Sequence, residues 1–316
     1  MKAAPRILAL SGGVGGARMA SGLARALPPG ALTIAVNVAD DFTHLGLAIS
    51  PDLDTVLYTL AGTVNPATGW GRAGESWNFM EALAPLGGEV WFRLGDKDLA
   101  VHVERTRRLR AGEPLSAITG DFCRRLGVAS EVLPASDDPV RTMVDTDEGR
   151  LAFQDYFVRR QCKPRVCGFG FEGIAAAALH PRIVAVLDDP GLEAVIIGPS
   201  NPFVSIAPIL AMPGMAEALA RCRAPVVAVS PIVGGRALKG PAAKMMAELG
   251  IEPSSPAVAG HYGALLDGLV IDVQDRGLRD RIAGPKVLVA QTVMHGEQER
   301  VELAREVLAF ARGLTR

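Results

Sequence analysis

Ile7-Leu8-Ala9-Leu10 runs directly into Ser11-Gly12-Gly13-Val14-Gly15-Gly16-Ala17-Arg18. A short apolar run that ends in clustered glycines and opens onto helical periodicity, here Arg18 to Leu27, is a strand, a tight turn and a helix. Such a turn brings backbone N–H groups to a helix N-terminus, where they can meet a phosphate. The helix stops at Pro28-Pro29-Gly30, and Leu32 to Val38 reads as the next buried strand. The spacing Gly-Gly-x-Gly-Gly is not Gly-x-Gly-x-x-Gly. It is not a P-loop either, because Arg18 follows Ala17 and Gly-Lys-Ser/Thr is missing. Tight strand–helix turns need glycine with or without a ligand.

Beyond the second strand come Asn37-Val38-Ala39-Asp40-Asp41 and Ser50-Pro51-Asp52-Leu53-Asp54-Thr55. Four carboxylates beside a phosphate-ready turn are hard oxygen donors, suited to Mg²⁺ shared between protein and substrate. A second reading stays open. Ser50-Pro51-Asp52 is also a helix start, with Ser50 as N-cap, and acidic residues there suit the helix dipole.

Strand–helix alternation runs through most of the chain. Val56 to Leu60 continues the helix begun near Ser50, and Asn65 to Ser76 is an aromatic loop containing Trp70-Gly71-Arg72. Glu89 to Leu94 reads as a strand. Leu99 to Ala111 reads as a helix with a solvated basic face (Arg105, Arg107, Arg108, Arg110), and Ser116 to Leu126 as another helix. From Val132 to Phe171 the segments become short and β-like: Val140 to Val144, Leu151 to Val158, Arg165 to Gly170. The rhythm returns at Ala194 to Ile197, Val226 to Val229, Leu269 to Val273 and Val287 to Ala290, and closes with a helix from Glu297 to Leu314. The expected fold is α/β: a Rossmann-like, mostly parallel sheet with helices on both faces, formed by residues 1–129 and 186–316. A smaller inserted or appended α+β subdomain takes residues 130–185 and either covers a ligand or forms a dimer. Three strands end in Gly/Ser/Asn loops, after Leu10, Ile197 and Val229, and a doubly wound sheet brings such loops to one edge.

Composition narrows the partners. Of 316 residues, 49% are hydrophobic, enough for a full core, and the net charge is −1. That balance gives no global attraction to nucleic acid or an anionic membrane. No run of about twenty apolar residues is present to span a bilayer. The four cysteines lack Cys-x-x-Cys spacing and no secretory pattern is seen, so they read as reduced thiols of a cytoplasmic protein.

In order along the chain, Ser11-Gly-Gly-Val-Gly-Gly-Ala-Arg18, Asn37-Val-Ala-Asp-Asp41, Ser50-Pro-Asp-Leu-Asp-Thr-Val-Leu-Tyr-Thr59, Gly95-Asp-Lys-Asp-Leu-Ala100 and Pro199-Ser-Asn-Pro-Phe-Val-Ser-Ile206 resemble the 2-phospho-L-lactate transferase family of coenzyme F420 biosynthesis. Trp70-Gly-Arg and Leu133-Pro-Ala-Ser-Asp137 match its actinobacterial-type branch. The resemblance implies a Mg²⁺-dependent, homodimeric enzyme with a Rossmann-like core. Its substrates are Fo, a deazaflavin with a ribityl tail, and a guanosine diphosphate derivative of a three-carbon acid (phospholactyl, phosphoenolpyruvyl or phosphoglyceryl). GMP leaves, and the guanylyltransferase that makes the donor is a candidate partner. By resemblance, Asp41 and Asp54 are the first candidates for the metal, with Asp40 and Asp52 next. Asp54 and Lys97 match positions linked to Fo, and Asp54 is a candidate general base. Trp70, Arg72 and Trp77 are candidates to cover the ring, Gly12, Gly13, Gly15 and Gly16 to meet phosphate or deazaflavin, and Ser200 and Asn201 to contact the donor nucleotide. His44 is the histidine nearest the acidic segments, and packing is its simpler role.

Two other functions compete. A regulator resembling the gluconeogenesis factor would bind a nucleotide sugar without catalysis; Gly95-Asp-Lys-Asp98 with Trp70-Gly-Arg speaks for the transferase. A nicotinamide dehydrogenase would want the Gly-x-Gly-x-x-Gly spacing that is missing here.

Overall fold

The computed structural model describes residues 6–314. Its centre is a seven-stranded sheet in which each neighbouring pair is parallel. In chain order the strands are β1 (Arg6–Ser11), β2 (Leu32–Val36), β3 (Glu131–Pro134), β4 (Leu192–Ile197), β5 (Val226–Val229), β6 (Gly268–Asp272) and β7 (Lys286–Ala290). In space the order is β7-β6-β5-β4-β1-β2-β3. Runs such as Leu-Thr-Ile-Ala-Val and Val-Val-Ala-Val are buried throughout, as strands covered on both faces must be.

From β1 the chain steps outward to β2 and β3; from β4 it steps the other way. Right-handed crossovers then place the helices of the two halves on opposite faces. Four helices matter for the site: α1 (Gly13–Ala26), α2 (Pro51–Leu60), α3 (Asp96–Arg110) and α4 (Glu297–Arg312). α1 packs between α2 and α4. The direction of winding reverses between β1 and β4, and a ligand crevice opens outside the carboxyl ends at such a point. Among the described residues no single helix is long and apolar enough to cross a membrane.

Several expectations need correction. α1 starts at Gly13, so Gly13 to Gly16 form the first helical turn and not a loop ahead of it. Glu89–Leu94 is not a strand; Trp91 and Phe92 turn edge-on to His44 and Phe42 (5.1 and 4.9 Å between ring centres) and hold the segment by side chains. α3 therefore begins at Asp96, not Leu99. The β-rich stretch also divides. Glu131–Pro134 is β3, paired with β2 at the sheet edge. A separate antiparallel sheet of Gly149–Ala152, Arg141–Thr146 and Val166–Glu172 follows, its core residues Val144, Tyr156 and Val166 continuous with the main core. The strand expected over Leu151 to Val158 ends at Ala152. Phe153 and Phe157, four residues apart, suit a helical turn, and their rings stack at 5.4 Å on the π-helical turn Asp155–Arg159.

Candidate active site

The turn after β1 is tied to two other segments by side chains. Gly13, in the left-handed region at φ +61°, donates its N–H to Asp52 Oδ1 at 2.8 Å. Asn37 Nδ2 donates to Asp52 Oδ2 at 3.0 Å. Gly12 N–H donates to Ser200 Oγ at 3.2 Å, and that hydroxyl donates back to the Gly12 carbonyl at 2.8 Å. The ends of β1 and β4 are thereby joined across the switch point. The N–H groups of Gly12 and Gly13 already have partners within the protein, so anion binding falls to the donors deeper in the first turn of α1. Asn201 caps the turn that follows, its Oδ1 accepting from Phe203 N–H at 3.0 Å.

The carboxylates gather at the start of α2. Asp40, Asp52 and Asp54 are buried, and Asp41 half-buried. Ser50 precedes α2 but does not cap it; its hydroxyl donates to Asp41 Oδ2 at 2.7 Å. Burial pushes the Asp41 carboxyl up to about 8; the Ser50 bond and Arg105 work against the rise, and Asp54 adds to it. Burial raises Asp52 to about 6, although Asn37 and Gly13 bond its charged form. Asp40 is raised by burial and then by the charge of Asp52. Asp40 Oδ1 and Asp41 Oδ1 are buried with no hydrogen-bond partner. Crowded carboxylates held toward the neutral form, with orphaned oxygens, fit a hard divalent cation, which would supply the missing partner and draw their protons off.

Asp54 is held differently. Arg105, buried in the middle of α3, grips it as a fork: Nη2 meets Oδ1, and Nη1 lies 3.1 Å from Oδ2. The solvated basic face expected on this helix is thus wrong for Arg105. Its Asp54 partner lies inside the fold, and burial opposes the guanidinium charge while Asp54 outweighs it. His102 stands between two carboxylates, with Nδ1 3.6 Å from Asp54 and Nε2 3.3 Å from Asp98. Tyr58 donates its hydroxyl to Asp98 at 2.5 Å. Asp54, Asp98 and His102 have the donor types and closeness of a metal set, but Arg105 already occupies Asp54 from this side.

Asp40, Asp52, Asp54, Tyr58, Asp98 and His102 line a cleft of about 610 Å³ at the carboxyl edge of the sheet. Its lining includes Gly12, Gly13, Gly15, Asp40, Asp52, Asp54, Ser200 and Asn201, with Ser230, Lys239 and Thr292 beyond the ends of β5 and β7. The lining also carries Trp70, Trp91, Phe92, Phe153 and Phe157, an aromatic share beside the polar one.

A family model described as "2-phospho-L-lactate transferase CofD" matches residues 7–308. The chain belongs to that family. A phosphoenolpyruvate transferase from Streptomyces griseus is 40% identical to this CofD-family chain over 97% of it and 98% of the relative. A 2-phospho-L-lactate transferase from Methanosarcina mazei is 38% identical over 96% and 99%. The crystal structure of a upf0052 family member from Bacillus halodurans superposes with a TM-score of 0.63, covering 98% of this chain and all of that one. At 15% identity that likeness shows the shared fold alone.

Within this CofD-family chain the expected residues are not all brought together. Gly12, Gly13, Gly15, Asp40, Asp52, Asp54, Trp70, Ser200 and Asn201 line the cleft. Asp41 lies behind it on Ser50, and Gly16 packs toward Ser11 and Ser200. Lys97 is exposed outside the lining, its Nζ donating to the Ala73 carbonyl at 3.2 Å, and Arg72 lies over the Tyr58 ring. Trp77 is covered by Arg93 at 4.1 Å. His44 packs among Phe42, Trp91 and Phe92, and burial lowers its pKa. His102 was not singled out from the sequence, Asp98 appeared there only within Gly95-Asp-Lys-Asp98 and Arg105 only on a solvated face. Their spacing of four and then three residues puts them on one face of a polar helix, which was the available signal.

Proposed function

We propose that this CofD-family chain transfers a phospholactyl, phosphoenolpyruvyl or phosphoglyceryl group from a guanosine diphosphate-linked donor to the ribityl hydroxyl of Fo, releasing GMP, in coenzyme F420 biosynthesis. The observation that carries this is a single cleft lined both by the glycine turn with Asp40, Asp52 and Asp54 and by the aromatic rings of Trp70, Trp91, Phe92, Phe153 and Phe157. The ribityl oxygen forms a bond to the phosphorus that bears the acid. The bond from that phosphorus to the bridging oxygen breaks, and GMP takes the electron pair. Asp54, lining the cleft, orients the hydroxyl and takes its proton. Of the four carboxylates expected to hold Mg²⁺, Asp40, Asp52 and Asp54 line the cleft and Asp41 stands behind them, and the ion would offset charge on the diphosphate and on departing GMP. The glycine turn and the Ser200–Asn201 loop hold the donor, and catalysis is chiefly a matter of alignment. A cytoplasmic homodimer supplied by the guanylyltransferase that makes the donor completes the proposal.

The experiment is incubation with Mg²⁺, Fo and each of the three donors, with mass spectrometry for GMP and the Fo adduct. Product with at least one donor is expected; no product with any of them refutes the proposal.

A further inference from the structure

We propose that Arg105 is a positioning residue for Asp54: its fork fixes the plane of the carboxylate so that the remaining lone pairs face the cleft. This rests on the transfer reaction proposed above. Nη1 meets Asp54 Oδ2 at 3.1 Å while Nη2 holds Oδ1, so both oxygens are fixed at once. The guanidinium is fixed in turn: Nη1 reaches the Ala48 carbonyl at 3.3 Å and His102 Nδ1 at 3.3 Å. His102 Nε2 stands 3.3 Å from Asp98 Oδ1, and Tyr58 donates its hydroxyl to Asp98. Thr106 ties the same stretch together, donating to the His102 carbonyl at 2.6 Å and accepting from Ala48 N–H at 2.8 Å. Asp54 is therefore enclosed on the α3 side by fixed groups and open on the cleft side.

Stability alone is a weak reason for this arrangement, because desolvation of a buried ion pair largely cancels its attraction and an apolar pair of the same volume does as well. What an apolar pair cannot do is hold an ionised carboxylate at a set angle to a substrate. Among the described residues Arg105 is also the one arginine or lysine that ion-pairs with any of Asp40, Asp41, Asp52 and Asp54. A lysine would keep the charge and lose the fork.

The test compares the full-length protein with Arg105→Lys and Arg105→Gln. Steady-state kinetics are read together with thermal melting and the electron paramagnetic resonance line shape of bound Mn²⁺. In Arg105→Lys, kcat falls about 100-fold, as misplacement of a reacting group by an ångström does, while KM for Fo stays within about threefold. Mn²⁺ still binds, its line shape altered as Asp54 reorients. Arg105→Gln loses more turnover. Unchanged kcat together with an unchanged line shape in the folded lysine variant overturns the proposal. So does a parallel loss of melting temperature, Mn²⁺ binding and turnover in both variants, which marks a purely structural role. If wild-type protein makes no product, the transfer function fails separately, and the Mn²⁺ line shape alone decides for or against the fork.

Discussion

A Cβ placed on Gly15 would stand 2.1 Å from the carbonyl oxygen of Pro199. The obstacle is backbone, so nothing can swing aside. The β1–α1 turn and the loop after β4 can close on each other only with hydrogen at this position. Gly15→Ala is expected to cost about 1–3 kcal/mol, the usual size of overpacking. A fall in the urea midpoint reads this directly. Gly120, with open space around it inside the helix Leu115–Arg125, is the control; alanine there should stabilise by about 0.5–1 kcal/mol.

The acidic nest gives the metal-free protein a pH dependence of definite sign. Burial is the main cause of the rise of Asp52 to about 6 and of Asp41 to about 8, from an ordinary 3.8. A raised carboxyl favours the fold when protonated. Its contribution is complete below the ordinary value and is lost as pH climbs through the raised one. The melting temperature in EDTA should therefore fall between about pH 4 and about pH 8, and Asp41→Asn should flatten the upper part of that fall. Mg²⁺ should raise the melting temperature more at the alkaline end, because the cation must displace protons to bind. Melting curves of equal midpoint across the range would remove the buried carboxylates from this account.

Much of the fold was legible because parallel strands buried on both faces write themselves as short apolar runs; Val226–Val229 was found with its observed bounds. Glu89–Leu94 misled because Trp91 and Phe92 are β-prone in composition, and only tertiary contact with Phe42 and His44 shows that they pack by their rings. The carboxylates of the candidate site were visible as a cluster. Their division of labour was not. Asp52 binds the glycine turn, Asp54 takes the guanidinium, and Asp40 and Asp41 keep free oxygens. That division depends on Asn37, Ser50 and Arg105, and Arg105 lies 51 residues from its partner in sequence.

The aromatic loop is clamped to α3 by a reciprocal pair of carboxylates. Glu75 accepts from the N–H groups of Lys97 and Asp98 at 2.8 and 2.9 Å, satisfying donors at the helix start. Asp96 accepts from Ser76, Asn78 and Phe79, and these bonds, led by that of Ser76, hold its carboxyl down to about 2. Glu75→Ala should cost about 1 kcal/mol, as loss of a helix cap does. It should also speed proteolytic cleavage within Asn65–Ser76 more than anywhere else. Uniform cleavage along the chain would show that Glu75 does not hold this loop.

The polar and the aromatic lining of the cleft should separate in binding. Phe157 is exposed, stacks on Phe153 and lines the cleft, far from the Ser200 loop in sequence. Removing its ring takes away a planar surface for a deazaflavin and no hydrogen bond to a nucleotide. Phe157→Ala should weaken Fo binding about tenfold, equivalent to about 1.4 kcal/mol, measured by Fo fluorescence titration. GDP binding by calorimetry should stay as it is in the wild type. Phe169, stacked on Phe203 and outside the cleft lining, is the matched control and should leave Fo binding unchanged on truncation. If Phe157→Ala weakened GDP and spared Fo, the roles would have to be exchanged, with the guanine ring against Phe157.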